Sequence, residues 1–188
     1  MKYQPESGWL SGVRRVVSPH CNDRPSGTAV DLLVIHCISL PPGQYGGSYI
    51  DDLFLGQLDP DAHPYFAGIA ALRVSAHLLI DREGRVTQYV PLDRRAWHAG
   101  QSEFCGRCDC NDFSIGIELE GLDTDSYTDA QYRALAEVSA AIMDAFPQIT
   151  RDSITGHSDI APGRKLDPGP GFDWPRYLTA LDALRDAH

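Results

Sequence analysis

The sequence predicts an α/β domain in which a β-sheet packs against helices. Residues 30–38 form a continuous apolar run rich in β-branched side chains, and residues 114–120 alternate strictly between two faces. Two later segments carry apolar residues at helical spacing. A chain that places strands and a hairpin before its main helices is typical of this fold class.

The run 30–38 has the pattern of a strand that is buried on both faces. It contains His36 near its end and leads directly into the Pro- and Gly-containing segment 39–43. Loops that follow strand ends are common places for catalytic groups. Residues 39–66 are rich in Gly, Pro and aromatic residues, with one short helix predicted near 49–55. Because long ordered loops are usually functional, we expect this connection to be a binding loop that moves when substrate binds.

A hairpin and a further strand are predicted next along the chain. Residues 74–80 and 85–90 flank a Gly-containing turn at 81–84, which is the pattern of a β-hairpin. The strand 114–120 then places Ile115, Ile117 and Leu119 on one face. Glu118 and Glu120 share the other face, and either could be a general base while its neighbour reaches solvent. Alternation alone does not distinguish the two glutamates.

Two helices complete the predicted fold. Thr128 followed by Gln131 is a capping box, and the apolar positions after it repeat at helical spacing as far as Phe146. Pro147 lies just beyond the predicted end of this helix. Asp173 can cap a last helix. The predicted buried stripe of that helix consists of Tyr177, Leu178, Leu181 and Leu184.

Bulk composition limits the classes of protein to which the chain can belong. Its 188 residues suit a single domain, 1–188. A content of 43% hydrophobic and 22% charged residues argues against disorder. A formal charge of −10 disfavours nucleic acid and anionic membranes as partners. We also expect a cytoplasmic protein, because the N-terminus lacks an apolar signal segment and five cysteines form no regular disulfide pattern.

The segment 153–170 carries the clearest chemical signal. It places His157, Lys165 and Asp167 among glycines and prolines, a composition that predicts a rigid surface loop rather than a helix or a central strand. A neutral imidazole and a carboxylate are both zinc ligands. A third ligand from elsewhere in the chain would leave one coordination position for water.

The seven histidines are the first place to search for that third ligand: His20, His36, His63, His77, His98, His157 and His188. Most of them are expected to be structural or solvated. His36 differs because it lies at the end of a buried strand, where it is either a core histidine bonded to backbone or a metal ligand. Lys165 also has two possible roles, since it could stabilise an oxyanion beside a metal or remain a solvated loop lysine.

Two other features have simpler explanations. The Cys-x-x-Cys-x-Cys pattern of Cys105, Cys108 and Cys110 is half of a zinc-knuckle spacing, but its second half is missing, so free thiols are expected. Trp97 precedes a predicted turn in the segment Trp-His-Ala-Gly. Its indole either stacks on a sugar or is a partly buried core aromatic.

Several long motifs, in the same order along nearly the whole chain, resemble the zinc N-acetylmuramoyl-L-alanine amidase superfamily. That superfamily includes phage lysozyme-amidases and peptidoglycan recognition proteins. The motifs that carry the resemblance are LVIH (33–36), ISLPPG (38–43), LDP (58–60), HPYF (63–66), VSAH (74–77), RAWHAG (95–100), NDFSIGIELEG (111–121) and YTDAQY (127–132).

The resemblance implies a mixed central sheet flanked by helices and one catalytic zinc ion. By the same resemblance His36, His157 and Asp167 are the zinc ligands, Glu118 is the catalytic carboxylate and Lys165 stabilises the oxyanion. Glu118 would take the proton of the attacking water and later deliver it to the leaving amine, a role worth about 10²–10⁴ in rate. The implied substrate is a cytoplasmic muropeptide, in which anhydromuramic acid is linked to a peptide.

Substrate contacts are implied for Trp97 along the sugar, Arg73 at a peptide carboxylate and Arg107. The chain departs from the superfamily at Cys37, where asparagine is common, and at Asp109, where some members have arginine. These departures concern peptide recognition and leave the metal chemistry intact. We expect a monomer. The alternatives are a muropeptide-binding protein without activity and an amidase that acts on polymeric cell wall.

Overall fold

The computed structural model describes residues 1–186. His188, to which the sequence assigns no role, lies outside the described residues. Within the described part the strands are β1 Tyr3–Gln4, β2 Trp9–Leu10, β3 Arg14–Arg15, β4 Cys21–Asn22, β5 Leu32–Ile38, β6 Leu78–Ile80, β7 Val86–Gln88, β8 Arg95–Ala96, β9 Glu103–Phe104, β10 Arg107–Cys108, β11 Ser114–Glu120 and β12 Ile154–Gly156. The α-helices are α1 Tyr49–Leu55, α2 Asp129–Ala145, α3 His157–Ile160 and α4 Trp174–Asp186.

A mixed sheet with the strand order β12-β5-β11-β6-β7-β3 lies at the centre of the molecule. Strands β12, β5, β11 and β6 run parallel to one another, whereas β7 is antiparallel to β6. The predicted α/β class and the mixed sheet are therefore confirmed. Short two-stranded ladders pair β1 with β2, β4 with β8 and β9 with β10.

The two faces of the sheet pack against different groups of residues. Alternate residues of β5 and β11, such as Ile35 and Ile117, belong to the main core together with residues of α2 and α4. The opposite face carries Leu32 and Val34, which pack in a smaller cluster with Phe113. His36 follows Val34 on this second face, because side chains alternate along a strand.

Both long helices begin as predicted. The Thr128 side chain accepts the backbone N–H of Gln131 at 3.1 Å, and the Gln131 side chain accepts the N–H of Thr128 at 3.0 Å. Asp173 caps α4 by accepting the N–H of Arg176 at 3.0 Å. The helix α1 is found at Tyr49–Leu55, inside the long 39–66 connection.

The predicted hairpin exists, but its strands are shorter than expected. They cover Leu78–Ile80 and Val86–Gln88. Pairing across the hairpin extends to His77, whose carbonyl accepts the N–H of Tyr89, but the N–H of Ser75 bonds to the carbonyl of Trp97 instead. This exchange ties the start of the hairpin to the segment around Trp97.

The segment 153–170 departs from its prediction. Ile154–Gly156 joins β5 as a parallel edge strand, and His157–Ile160 forms one helical turn. The prediction of a surface loop is therefore wrong for these residues. The reason is that Ile154 and Ile160 are apolar and become buried, and burial outweighs the loop-forming tendency of the glycines around them. Among residues 1–186, no helix has the length and apolar character needed to cross a membrane.

Candidate metal and catalytic site

Three parallel strands bring the predicted site together at one edge of the sheet. The register of β5 and β11 sets His36 beside Glu118. Strand β12 pairs with β5 on its other side, with Gly156 opposite Ile35, so His157 follows immediately at the same edge. Ligands in open α/β sheets bind at the carboxyl ends of the strands, and that is where these side chains lie.

His36, His157 and Asp167 converge on one point. The Nδ1 atoms of the two histidines are 2.9 Å apart, and the Asp167 Oδ2 atom lies 3.1 Å from His36 Nδ1 and 3.0 Å from His157 Nδ1. Tetrahedral zinc ligands at about 2.0–2.1 Å from the ion stand about 3.3 Å from one another. Within residues 1–186 no other group of His, Cys, Asp and Glu side chains converges in this way.

The hydrogen bonding of His157 shows that this cluster suits a cation. Its Nε2 atom is 3.0 Å from the carbonyl oxygen of Ala99, which can only accept a hydrogen bond. In the neutral ring Nε2 therefore carries the proton, and Nδ1 presents a lone pair to the Asp167 carboxylate. Two acceptors at 3.0 Å repel each other unless a proton or a metal ion lies between them. The donor set, two imidazole nitrogens and one carboxylate oxygen, is one that zinc accepts.

The ionisation of the cluster also matches metal binding. Burial lowers the pKa of His36 to about 4, so the ring is neutral at physiological pH. Burial raises the pKa of Asp167, but its contacts with His157 and His36 outweigh that effect and lower the pKa below its usual range. Neutral imidazoles and an ionised carboxylate are the forms that bind metal.

Glu118 differs from Glu120 in its surroundings. The Glu118 Oε2 atom is buried and has no hydrogen-bond partner in the described part of the chain. Burial, reinforced by Asp167 and opposed by Lys165, raises the pKa of Glu118 well above its usual range. A buried carboxylate with no partner and a raised pKa is suited to accept a proton.

Glu120 does not reach solvent, contrary to the expectation that one of the two glutamates would. It is only 3% exposed, and its carboxylate accepts the backbone N–H groups of Gly46 and Arg82. Its role is to hold the 39–66 connection and the hairpin turn against the end of β11.

The three clustered side chains and Glu118 line an open cavity of about 530 Å³. Glu118, His157, Lys165, Asp167 and His36 are among its polar lining residues. The apolar side chains that line the rest include Tyr65, Ile69, Leu72 and Leu166. A cavity of this size with a few convergent polar groups is typical of small-molecule sites.

The remaining predicted residues lie at different distances from this centre. Trp97 lines the cavity, with its ring nitrogen donating to Asn22 at 2.6 Å and its ring stacked on His20. Arg73 is exposed beside Val74, a cavity residue. Arg107 is paired with Asp31, with two contacts of 2.9 Å, and does not line the cavity.

Sequence reasoning missed the groups that contact the predicted metal ligands from the side away from the cluster. His36 Nε2 is 2.8 Å from His98 Nδ1, and His98 Nε2 is 3.0 Å from the hydroxyl of Ser114. The signal that could have found His98 is Gly116, a glycine inside a strand, where an added Cβ would lie 2.5 Å from the His98 ring. All five cysteines are free thiols, as expected.

Comparison with known proteins gives one consistent family. The family model described as N-acetylmuramoyl-L-alanine amidase matches residues 26–170. The chain is 62% identical to the 1,6-anhydro-N-acetylmuramyl-L-alanine amidase AmpD of Escherichia coli strain K12, over 94% of this chain and 96% of that protein.

Solved structures agree with the sequence match. A crystal structure of a selenomethionine derivative of AmpD has a TM-score of 0.93 and 58% identity, covering 96% of this chain and 99% of the other. AmpDh3 of Pseudomonas aeruginosa, solved in complex with anhydromuramic pentapeptide, has a TM-score of 0.64 and 30% identity, covering 87% and 66%. The chain belongs to the N-acetylmuramoyl-L-alanine amidase family.

Proposed function

We propose that the chain is a zinc-dependent amidase that hydrolyses the bond between 1,6-anhydro-N-acetylmuramic acid and the L-alanine of a stem peptide. The observation that carries this proposal is the convergence of His36, His157 and Asp167 beside Glu118 in one open cavity. Identity of 62% to an enzyme named for this reaction supports the choice of substrate.

In this proposal His36, His157 and Asp167 hold one zinc ion through Nδ1, Nδ1 and a carboxylate oxygen. A bound zinc ion supplies a Lewis acid that makes water nucleophilic near neutral pH. Three protein ligands with a fourth position left for water are the ligand count of catalytic rather than structural zinc sites.

Glu118 acts as the proton-transferring group. Its unpartnered carboxylate oxygen accepts the proton of the attacking water and then delivers it to the leaving nitrogen of L-alanine. The raised pKa favours the first step, because it makes the ionised carboxylate a stronger base. Lys165 on the cavity wall stabilises the oxyanion that forms at the amide carbon.

The cavity walls supply substrate binding. Trp97 offers a ring face to the sugar, held in place by its hydrogen bond to Asn22. Arg73, exposed beside the cavity, contacts a carboxylate of the stem peptide. Arg107 takes part only if the peptide extends beyond the cavity, since its guanidinium is paired with Asp31.

We also propose that residues 1–188 act as one domain, as a monomer, in the cytoplasm. Five free cysteines match a reducing compartment. The formal charge of −10 argues against nucleic acid and anionic membranes as partners. Size-exclusion chromatography with light scattering tests the oligomeric state.

The direct test uses the zinc-loaded chain and two substrates. Purified 1,6-anhydro-N-acetylmuramyl tripeptide is incubated with the enzyme, and products are identified by mass spectrometry. The proposal predicts anhydro-N-acetylmuramic acid and a peptide with a free L-alanine amine. Intact sacculi are the second substrate. Release of peptide from sacculi in preference to the soluble muropeptide would support an amidase of polymeric wall and contradict the proposal.

A further inference from the structure

Both histidines of the candidate zinc site present the same ring nitrogen, Nδ1, to the cluster. An imidazole has two nitrogens, and the one that is free to bind metal is determined by the hydrogen bond that the other makes. The partners of the two Nε2 atoms therefore decide whether the site is ready for zinc.

Adjacent residues provide both partners. The backbone carbonyl of Ala99 lies 3.0 Å from His157 Nε2, and the side chain of His98 lies 2.8 Å from His36 Nε2. The carbonyl can only accept, so it fixes the His157 tautomer without help. His98 can donate or accept at Nδ1, so its effect on His36 depends on its own tautomer.

Ser114 makes the required tautomer of His98 possible. Its hydroxyl lies 3.0 Å from His98 Nε2 and can accept a hydrogen bond from it. When His98 donates from Nε2 to Ser114, its Nδ1 has a lone pair and accepts the Nε2–H of His36. His36 Nδ1 then also has a lone pair, directed towards His157 Nδ1 and Asp167 Oδ2. The reverse arrangement, in which the Ser114 hydroxyl donates to His98, would leave the proton of His36 on Nδ1, so only the first arrangement is compatible with metal binding at that atom.

Two contacts of the fold hold His98 in place. The Asn111 side-chain oxygen accepts the backbone N–H groups of His98 at 3.0 Å and Ala99 at 2.8 Å. The His98 ring lies against Gly116, where an added Cβ would be 2.5 Å from its Cγ and Nδ1 atoms. One side chain thus clamps the backbone that supports both zinc-binding histidines, and a glycine in β11 leaves room for the ring.

We propose that His98 is a positioning residue that, backed by Ser114, holds His36 in the tautomer that binds zinc. This inference rests on the zinc site of the proposed function but not on the substrate. Loss of such a supporting contact typically weakens metal binding about 10–100-fold.

The test measures the zinc dissociation constant by competition with a chelator of known affinity. His98→Phe keeps an aromatic ring but removes the acceptor, and it is expected to weaken zinc binding about 10–100-fold. Ser114→Ala removes only the hydrogen bond between Ser114 and His98, and it is expected to weaken zinc binding by a smaller factor. His63→Phe is the matched control, since His63 contacts neither zinc-binding histidine, and it is expected to leave zinc affinity unchanged.

A second readout does not depend on any variant folding correctly. In the zinc-loaded wild-type protein, ¹⁵N NMR of histidine side chains is expected to show His98 protonated at Nε2 and unprotonated at Nδ1. Protonation of His98 at Nδ1 would overturn the proposal, as would a zinc affinity within twofold of wild type in folded His98→Phe and Ser114→Ala. Wild-type zinc binding without muropeptide cleavage would instead contradict the proposed function and leave this inference standing.

Discussion

Glu118 and Glu120 stand two residues apart on β11, yet they meet different surroundings. Glu120 is fully occupied by the backbone N–H groups of Gly46 and Arg82, whereas Glu118 has a buried oxygen with no partner in the described structure. A carboxylate whose hydrogen bonds are satisfied stabilises the fold. One without a partner is available for proton transfer.

Replacing each glutamate by glutamine is expected to separate these roles. Glu118→Gln should lower kcat about 10²–10⁴-fold, because the amide cannot accept a proton, while zinc content is retained. Glu120→Gln should lower the free energy of unfolding by about 1–3 kcal/mol, because its amide group would face a backbone N–H. Turnover assays, metal analysis and denaturant titration measure the three quantities. Full activity in Glu118→Gln would remove this residue from the mechanism.

Lys165→Met tests the stabilisation of charge in the transition state. The substitution keeps most of the length of the side chain and removes its charge. We expect kcat to fall about 10²–10³-fold, with a smaller change in KM, since the lysine acts on charge that develops only during the reaction. An increase in KM alone would assign Lys165 to substrate binding instead.

At the level of elements, the site depends on loops docking closely on the ends of strands. Gly169 has a φ of +84°, and a Cβ there would lie 1.9 Å from the carbonyl oxygen of Asp123. Asp167 lies two residues earlier and contacts both His36 and His157. Close contact at Gly169 therefore helps to fix the position of a proposed metal ligand.

Gly169→Ala is expected to weaken zinc binding and lower stability, because the new methyl group must push the loop away from Asp123. Gly163→Ala is the matched control: it lies in the same loop with φ +77°, but its Cβ would meet nothing within 4 Å. The control should lose about 1–2 kcal/mol from backbone strain and keep its zinc affinity. Equal zinc affinities in the two variants would show that docking at Gly169 does not position Asp167.

The start of the hairpin carries a pH-dependent contribution to stability. Burial, with a further effect from Arg24, lowers the pKa of His77 from its usual 6.5 to about 3. Between these values the unfolded chain binds a proton at His77 and the folded chain does not, so stability falls as pH drops below 6.5, by about 1.4 kcal/mol per pH unit. His77→Gln should reduce that slope, measured between pH 4 and 6 by denaturant titration, by one proton. An unchanged slope would contradict a neutral buried His77.

Across the whole molecule, the periodicity of the sequence predicted the helices and strands well. It did not predict which side chains from distant parts of the chain lie close together. The apolar run of β5, the alternation of β11 and the capped helices each follow from neighbours in sequence. His98 was not found because its partners His36 and Ser114 are 62 and 16 residues away. The two glutamates could not be distinguished because Gly46 and Arg82 reach Glu120 from separate loops, 74 and 38 residues distant. Motif resemblance, rather than periodicity, singled out Glu118.

In the segment 154–160 the sequence pattern also failed to predict the local secondary structure. Its glycines and the prolines that follow predict a loop, but Ile154–Gly156 pairs with β5 and buries its apolar residue. A three-residue edge strand has too little sequence for alternation to be visible.

The expectation that residues 39–66 move on substrate binding stays a prediction. Equal hydrogen-exchange protection of that segment with and without product would contradict it.

The three proposed ligands come from β5, α3 and the loop before α4, so zinc binding should link the stability of the whole chain to the activity of the site. Ligand that binds only the folded state stabilises it by about 2.7 kcal/mol at one hundred times its Kd. Chelation is therefore expected to lower Tm as well as to abolish turnover, and added zinc should restore both.

Titration of zinc into the chelated enzyme, with muropeptide hydrolysis and bound metal measured on the same samples, tests whether one zinc ion is the catalytic centre. We predict that activity rises in proportion to occupancy and saturates at one zinc per chain, and that His36→Ala neither retains zinc at wild-type affinity nor regains activity. Full turnover by the metal-free chain, or wild-type zinc affinity in His36→Ala, would contradict the account.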